Sequence, residues 1–161
     1  TPTQIISVRC VPEIHQAIRK FARFRNPMNH PTVMFRKAKV VQAGGYRHMP
    51  AFEDYDLWVR MLQQGACFHN LQECLLWFRL NANTFRRRGG VNYIAAEMHF
   101  QKGLVRLRFL TPIQAFGNMM MRLGVRLLPT FLRKKFYLAQ LRIAASTVVC
   151  SPDIVKKGGE A

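Results

Sequence analysis

The sequence predicts an α/β fold that is incomplete on its N-terminal side and is followed by amphipathic helices. Three observations carry that prediction. Strand-like and helix-like segments alternate through the first two thirds of the 161 residues. Hydrophobic residues make up 49% of the chain, enough for a packed core and too many for a disordered one. The chain opens at Thr1 and runs through Pro2-Thr3-Gln4 straight into the strand-like Ile5-Ile6-Ser7-Val8. Domains usually begin in exposed chain, so this opening is read as that of a fragment.

Taken in order, Ile5 to Val8 is a short strand. Glu13 to Phe24 is a helix, with Ile14, Ala17, Ile18 and Phe21 at helical spacing and Arg19, Lys20 and Arg23 on the other side. Asn26-Pro27 stops it. Pro31 to Arg36 is rich in β-formers and reads as a strand. Lys37 to Ala43 is a short helix closed by Gly44-Gly45, where a left-handed residue is expected. After Pro50, Glu53 to Gln64 is a helix with Leu57, Trp58, Met61 and Leu62 on one face and Gly65 as its stop. Ala66 to Leu71 and Cys74 to Leu80 read as strands, Asn81 to Gly90 as an arginine-rich loop, and Val91 to Lys102 as a helix. From Thr111 the pattern changes: Ile113, Phe116, Met120, Leu123 and Leu127 mark one amphipathic helix, Pro129 breaks it, and Phe131 to Ala144 makes another. The organisation is therefore 1–108 as the α/β part, 109–147 as a basic helical region and 148–161 as a tail.

The net charge is +17, from 25 Lys and Arg against eight acidic residues. A field of that sign favours phosphate-bearing partners: nucleotide diphosphates, anionic membrane or nucleic acid. Between Gln101 and Arg142 there are nine basic residues and no acid, interleaved with Leu, Phe and Met. That pattern reads first as a membrane-interfacial surface. No run of 18 uncharged apolar residues occurs, so no transmembrane helix is predicted. The four cysteines are dispersed, without a Cys-x-x-Cys pair, and read as buried or idle thiols. Cys67, His69 and Cys74 lack a second ligand pair at finger-like spacing, so no metal site is assigned to them.

Three of the eight acids, Glu53, Asp54 and Asp56, fall within four positions at the start of the best-defined helix. Carboxylates there complement the macrodipole and cap free N–H groups. A carboxylate held in that place is also suited to act as a general base toward a sugar hydroxyl. Both roles stand on the residues alone.

The order of the surrounding residues then becomes specific. The run Arg25-Asn26-Pro27-Met28-Asn29-His30-Pro31-Thr32-Val33-Met34-Phe35-Arg36-Lys37, the turn Gly44-Gly45-Tyr46, the helix Glu53-Asp54-Tyr55-Asp56-Leu57-Trp58-Val59-Arg60, then Leu76-Trp77-Phe78-Arg79 and Arg86-Arg87-Arg88-Gly89-Gly90 resemble the second half of family 2 glycosyltransferases. These are the inverting, nucleotide-sugar-dependent enzymes of bacterial surface polysaccharide assembly. The resemblance is close over about residues 13 to 92. It implies the C-terminal half of a GT-A-type nucleotide-sugar transferase domain, with the nucleotide-binding half upstream.

By that resemblance the catalytic base falls on Asp54, with Glu53 as its neighbour. Gly44, Gly45 and Tyr46 lie near the sugar and acceptor, and Arg86, Arg87 and Arg88 close over the diphosphate. Guanidinium groups suit that last role because they pair bidentately with phosphate oxygens. The divalent metal of the family (Mg or Mn) is expected in the intact enzyme, with ligands mainly upstream, since no Asp-x-Asp motif stands before the region of resemblance. Some relatives carry a histidine where this chain has Asn81, and no metal role is assigned there. The implied partners are a nucleotide-sugar donor, a saccharide or lipid-linked acceptor and an anionic membrane surface. No nucleic acid is expected, and the implied location is cytoplasmic, peripheral on the inner face of the cell membrane.

Four further residues or runs bear on the site. His30, between Asn29 and Pro31, either contacts acceptor or phosphate or satisfies a turn. Trp58 either stacks on a sugar or packs in the core, whereas Trp77 reads as core. Met119-Met120-Met121 reads as soft packing. The rival to the transferase reading is a non-catalytic basic module that binds anionic membrane or nucleic acid.

Overall fold

The computed structural model describes residues 7–76, 78, 91–127 and 143–144. Among them, helices dominate. They are α1 (His15–Phe21), α2 (Lys37–Gln42), α3 (Glu53–Gln63), α4 (Val91–Arg106) and α5 (Pro112–Leu127), with a short 3-10 turn at His30–Thr32. Two short strands, β1 (Ser7–Val8) and β2 (Ile143–Ala144), pair antiparallel with Ser7 opposite Ala144 and Val8 opposite Ile143.

The hub is α3. Every residue from Tyr55 to Leu62 is buried, and Leu57, Trp58 and Val59 have no exposed surface at all. The sequence pattern marked one apolar face; the structure covers the whole circumference. That requires partners for the polar positions Asp56 and Arg60, and they have them in each other. Ile18 and Ala22 of the α1 end, Val40 and Ala43 at the end of α2, and Phe100 and Leu104 of α4 pack around this helix in one core. Phe100 docks α4 by stacking on Phe52 at 4.8 Å and meeting Tyr55 at 4.7 Å between ring centres. Burying a side chain of that size contributes about 1.5–3 kcal/mol.

The assignments of α1 to α5 agree with the sequence within a turn. α1 is shorter than the Glu13–Phe24 pattern because Ile14 is extended and Ala22 closes it, with its N–H bonded back into the last turn. α4 runs a turn past Lys102. It ends where Arg108 takes a left-handed φ of 54° and Phe109 N–H bonds to Leu104 O at 3.0 Å, a position glycine usually fills. α5 starts on a capping box: Thr111 Oγ1 accepts from Gln114 N at 3.2 Å, and Gln114 Oε1 accepts from Thr111 N at 3.1 Å. Pro112 sits at the first position, where its missing N–H costs nothing.

The expected Ile5–Val8 strand is seen as β1 over its described residues Ser7–Val8; the other strand assignments need correction. Pro31 to Arg36 begins in the 3-10 turn, closed by Thr32 N–H and Oγ1 to Asn29 O, each at 3.0 Å. Val33 and Arg36 have extended dihedrals but no ladder partner. Ala66 to Leu71 is a strap over the start of α1: Asn70 N–H bonds to Glu13 O at 3.0 Å and Phe68 N–H to His15 Nδ1 at 3.2 Å. The described part of Cys74 to Leu80 also forms no ladder. A segment becomes a strand only when a neighbour takes its N–H and C=O groups, and among the described residues these segments have none. In place of the expected α/β sheet, the described residues form helices, extended segments and one two-residue strand pair. The predicted Phe131–Ala144 helix ends instead in β2, while residues 131–142, the loop 81–90 and the tail lie outside the described residues. Cys10 and Cys67 are free and exposed rather than buried, and Cys74 is disulfide-bonded.

Helix α5 lies on α4 through polar contacts. Glu97, with no exposed surface, is paired with Arg122 and accepts from Gln101 Nε2 at 3.4 Å. Asn118 Nδ2 donates to Arg23 O at 2.8 Å. The buried side of α5 thus combines Ala115 with the polar Asn118, while Ile113, Phe116 and Met120 of its apolar stripe face outward at 84%, 65% and 45% exposed.

Candidate active site

The acidic cluster sits where α3 begins, and its approach is fixed by two turns. The first follows α2. Gly44 and Gly45 take φ of 80° and 63°, and their N–H groups bond to Val41 O and Val40 O at 2.9 Å. Both values lie in the left-handed region that glycine enters without a Cβ penalty. The second is Met49 to Phe52, closed by Phe52 N–H to Met49 O at 2.9 Å, with Ala51 at a left-handed φ of 66°. A non-glycine residue there stores on the order of 1–2 kcal/mol of strain.

Arg60 joins the glycine turn to α3. Its Nε donates to Asp56 Oδ2 at 2.8 Å, its Nη2 to Gly45 O at 2.7 Å, and its Nη1 to Ala43 O. One guanidinium thus holds both carbonyls that flank Gly44, one helical turn beyond Asp56. This sets where Tyr46 emerges.

Asp54 is half-buried and Glu53 is exposed. Asp54 Oδ1 accepts from Tyr55 N–H at 2.7 Å, one of the donors a helix start leaves unpaired. Its Oδ2 accepts from Asn26 Nδ2 at 2.8 Å. The capping role and the candidate base role therefore fall on one carboxylate. Each oxygen keeps a second lone pair for a hydroxyl donor. Tyr46 faces the same acids. Partial burial holds its hydroxyl above the ordinary tyrosine value of 10, and the charges of Asp54 and Glu53 push the same way. His30 Nε2 shares a 3.1 Å hydrogen bond with the Tyr46 hydroxyl. The structure so gathers Asp54, Glu53, Gly44, Gly45, Tyr46 and His30 into one neighbourhood.

Trp58 corrects one expectation. It has no exposed surface, so no sugar can stack on it. Its ring meets His30 edge-on at 6.1 Å and Phe35 at 6.2 Å, and serves as their floor. Arg86, Arg87 and Arg88, predicted to hold diphosphate, lie outside the described residues, as does Asn81. Among the described residues no group of three or more His, Cys, Asp and Glu side chains could hold a metal, and Glu53 with Asp54 does not make such a set. A groove lined by His15, Gln16, Arg19, Lys20 and Arg23 follows α1 and includes none of the residues around Asp54. Among the described residues, no helix is long and apolar enough to cross a membrane.

Sequence reasoning missed Asn26 as more than a helix stop, and it missed the Asp56–Arg60 pair. The second had a readable signal, opposite charges four residues apart on one helix. The first had none, because its contact spans 28 positions.

No family model matches the chain, and no solved structure matches it significantly. Curated proteins do. The chain is 35% identical over 126 residues to the UDP-Gal:alpha-D-GlcNAc-diphosphoundecaprenol beta-1,3-galactosyltransferase of Escherichia coli, covering 78% of this chain and 46% of that protein. It is 38% identical over 138 residues to an uncharacterized glycosyltransferase of Haemophilus influenzae, covering 86% and 51%. It is 34% identical over 127 residues to the amylovoran biosynthesis glycosyltransferase AmsE of Erwinia amylovora, covering 79% and 48%. Relatives named as glycosyltransferases thus cover most of this chain, and the chain spans about half the length of the curated relatives it matches. The similarity supports the glycosyltransferase family.

Proposed function

We propose that this chain is the acceptor-side half of an inverting, family 2 glycosyltransferase domain of GT-A type, with Asp54 as its general base. The observation that carries the reading is the pinned Asp54 carboxylate, at a helix start beside the Tyr46–His30 pair. It lies in a chain whose sequence is similar, over most of its length, to named glycosyltransferases. Their greater length supports an intact enzyme in which the donor nucleotide is held by the other half.

In the proposed reaction Asp54 takes the proton of an acceptor hydroxyl as that oxygen attacks the anomeric carbon. The carbon–oxygen bond to the donor's diphosphate breaks, its electron pair leaves with the nucleoside diphosphate, and one displacement inverts the centre. Arg86, Arg87 and Arg88 are assigned to the departing charge. A divalent metal would supply further neutralisation of the diphosphate, with ligands outside the described residues. Glu53 adds negative charge beside the base, and Tyr46 and His30 border the acceptor.

The acceptor is proposed to be a lipid-linked saccharide, in line with the diphosphoundecaprenol named for the Escherichia coli relative. The enzyme would then work on the inner face of the cell membrane, with the outward apolar stripe of α5 and its basic surroundings against anionic lipid. The test is an assay of the complete protein with a panel of labelled nucleotide-sugars and an undecaprenyl-diphosphate-linked saccharide. Label moving into the lipid fraction, with release of nucleoside diphosphate, supports the reading. No transfer from any donor, together with steeply salt-dependent binding to nucleic acid, would favour the rival of a basic binding module.

A further inference from the structure

The Asp54 carboxylate is held by a residue far from it in sequence. Asn26 follows the end of α1, and its Nδ2 donates to Asp54 Oδ2 at 2.8 Å. The orientation of this amide is not arbitrary. Its Oδ1 accepts from Met28 N–H at 3.2 Å, which only the oxygen end can do, so the donor end must face Asp54. The backbone beneath is tied on both sides. Arg9 Nη2 donates to Asn26 O at 2.7 Å, Asn70 Nδ2 donates to Pro27 O at 3.1 Å, and Pro27 and Met28 are buried. Asn26 is thus itself fixed before it fixes anything else.

We infer that Asn26 is a positioning residue for the proposed base. It acts through Asp54 and not on substrate. With Oδ1 held by Tyr55 N–H and Oδ2 by Asn26, the carboxylate cannot rotate, and its remaining lone pairs point in set directions. A base displaced by about 1 Å loses on the order of a hundredfold in rate, so this contact belongs to turnover more than to binding. The inference rests on Asp54 being the base, as proposed above.

The discriminating variant is Asn26→Asp, assayed in the complete protein. It keeps an oxygen for Met28 N–H and so keeps the turn, but it sets a second carboxylate where the donor toward Asp54 stood, so Asn26→Ala, which adds no charge, separates lost positioning from repulsion. The expected result is a fall in kcat of about 10–100-fold, with KM for donor and acceptor within about threefold of wild type. Asn26→Ala should lose kcat similarly and melt lower, because the turn is lost too. Wild-type kcat in Asn26→Asp, or a raised KM at unchanged kcat, would overturn the positioning role. Asp54→Asn run alongside separates the two claims. If it is inactive while Asn26→Asp is normal, only this inference fails. If Asp54→Asn is itself active, the base assignment fails.

Discussion

Arg60 is buried, and its guanidinium satisfies Asp56 and two carbonyls of the glycine turn at once. Removing it leaves a buried carboxylate unpaired and two carbonyls without their donor. Breaking a buried pair from one side costs about 3–5 kcal/mol. Arg60→Ala should therefore lower the denaturation midpoint of the complete protein substantially, and Arg60→Lys should recover part of the loss, having charge but not the fork. Unchanged melting in Arg60→Ala would mean that the guanidinium contributes no net stability. At this scale the sequence shows residue type and local spacing well. Asp54 was legible because acids in a basic chain are few and because a helix start gives them a purpose. Asn26 was not, because a contact between the end of α1 and the start of α3 exists only once the chain has folded. Trp58 had two readings, and burial decided between them.

At the scale of elements, helices were legible because their signals are local: periodicity, and a double glycine after α2. Strands were not. Val33 and the Ala66–Leu71 strap have the composition of strands, but pairing depends on a partner that no local pattern specifies. Helix α5 shows the opposite surprise. Its apolar stripe was legible, but the structure turns that stripe outward, because Arg122 and Asn118 reach the buried Glu97 and Arg23 O. If the outward stripe meets lipid, Ile113→Glu with Phe116→Glu should reduce binding of the complete protein to vesicles rich in anionic lipid by about tenfold or more. Two large apolar side chains at about 1.5–3 kcal/mol each make that a modest expectation. Equal flotation of the variant and the wild type would remove α5 from the membrane.

For the whole molecule, the hub arrangement makes Tyr55 a reporter of global stability. Its hydroxyl donates to Ala22 O at 2.8 Å, and burial pushes its ionisation well above 10, although Arg122 pulls the other way. The folded state therefore holds this proton more tightly than the unfolded chain does. The stabilisation is present in full below pH 10 and is lost as pH rises from there through the folded-state value. Melting temperature should fall above pH 10. Tyr55→Phe should cost about 1 kcal/mol at neutral pH, as one hydrogen bond is lost, yet show a shallower alkaline decline. Parallel pH curves for the two proteins would exclude Tyr55 as the source. Tyr46 shifts the same way but is half exposed, so its share is small.

The proposed reaction turns on one carboxylate. Its most direct test is single-turnover kinetics of Asp54→Asn in the complete protein, with donor binding measured separately. The substitution keeps the shape of the side chain and removes its basicity. Turnover should fall by a factor on the order of 10²–10⁴, the usual share of general base catalysis, with donor affinity unchanged. Turnover within a fewfold of wild type would contradict the proposed reaction and leave Asp54 as an acceptor for Tyr55 N–H and Asn26 in the first turn of α3.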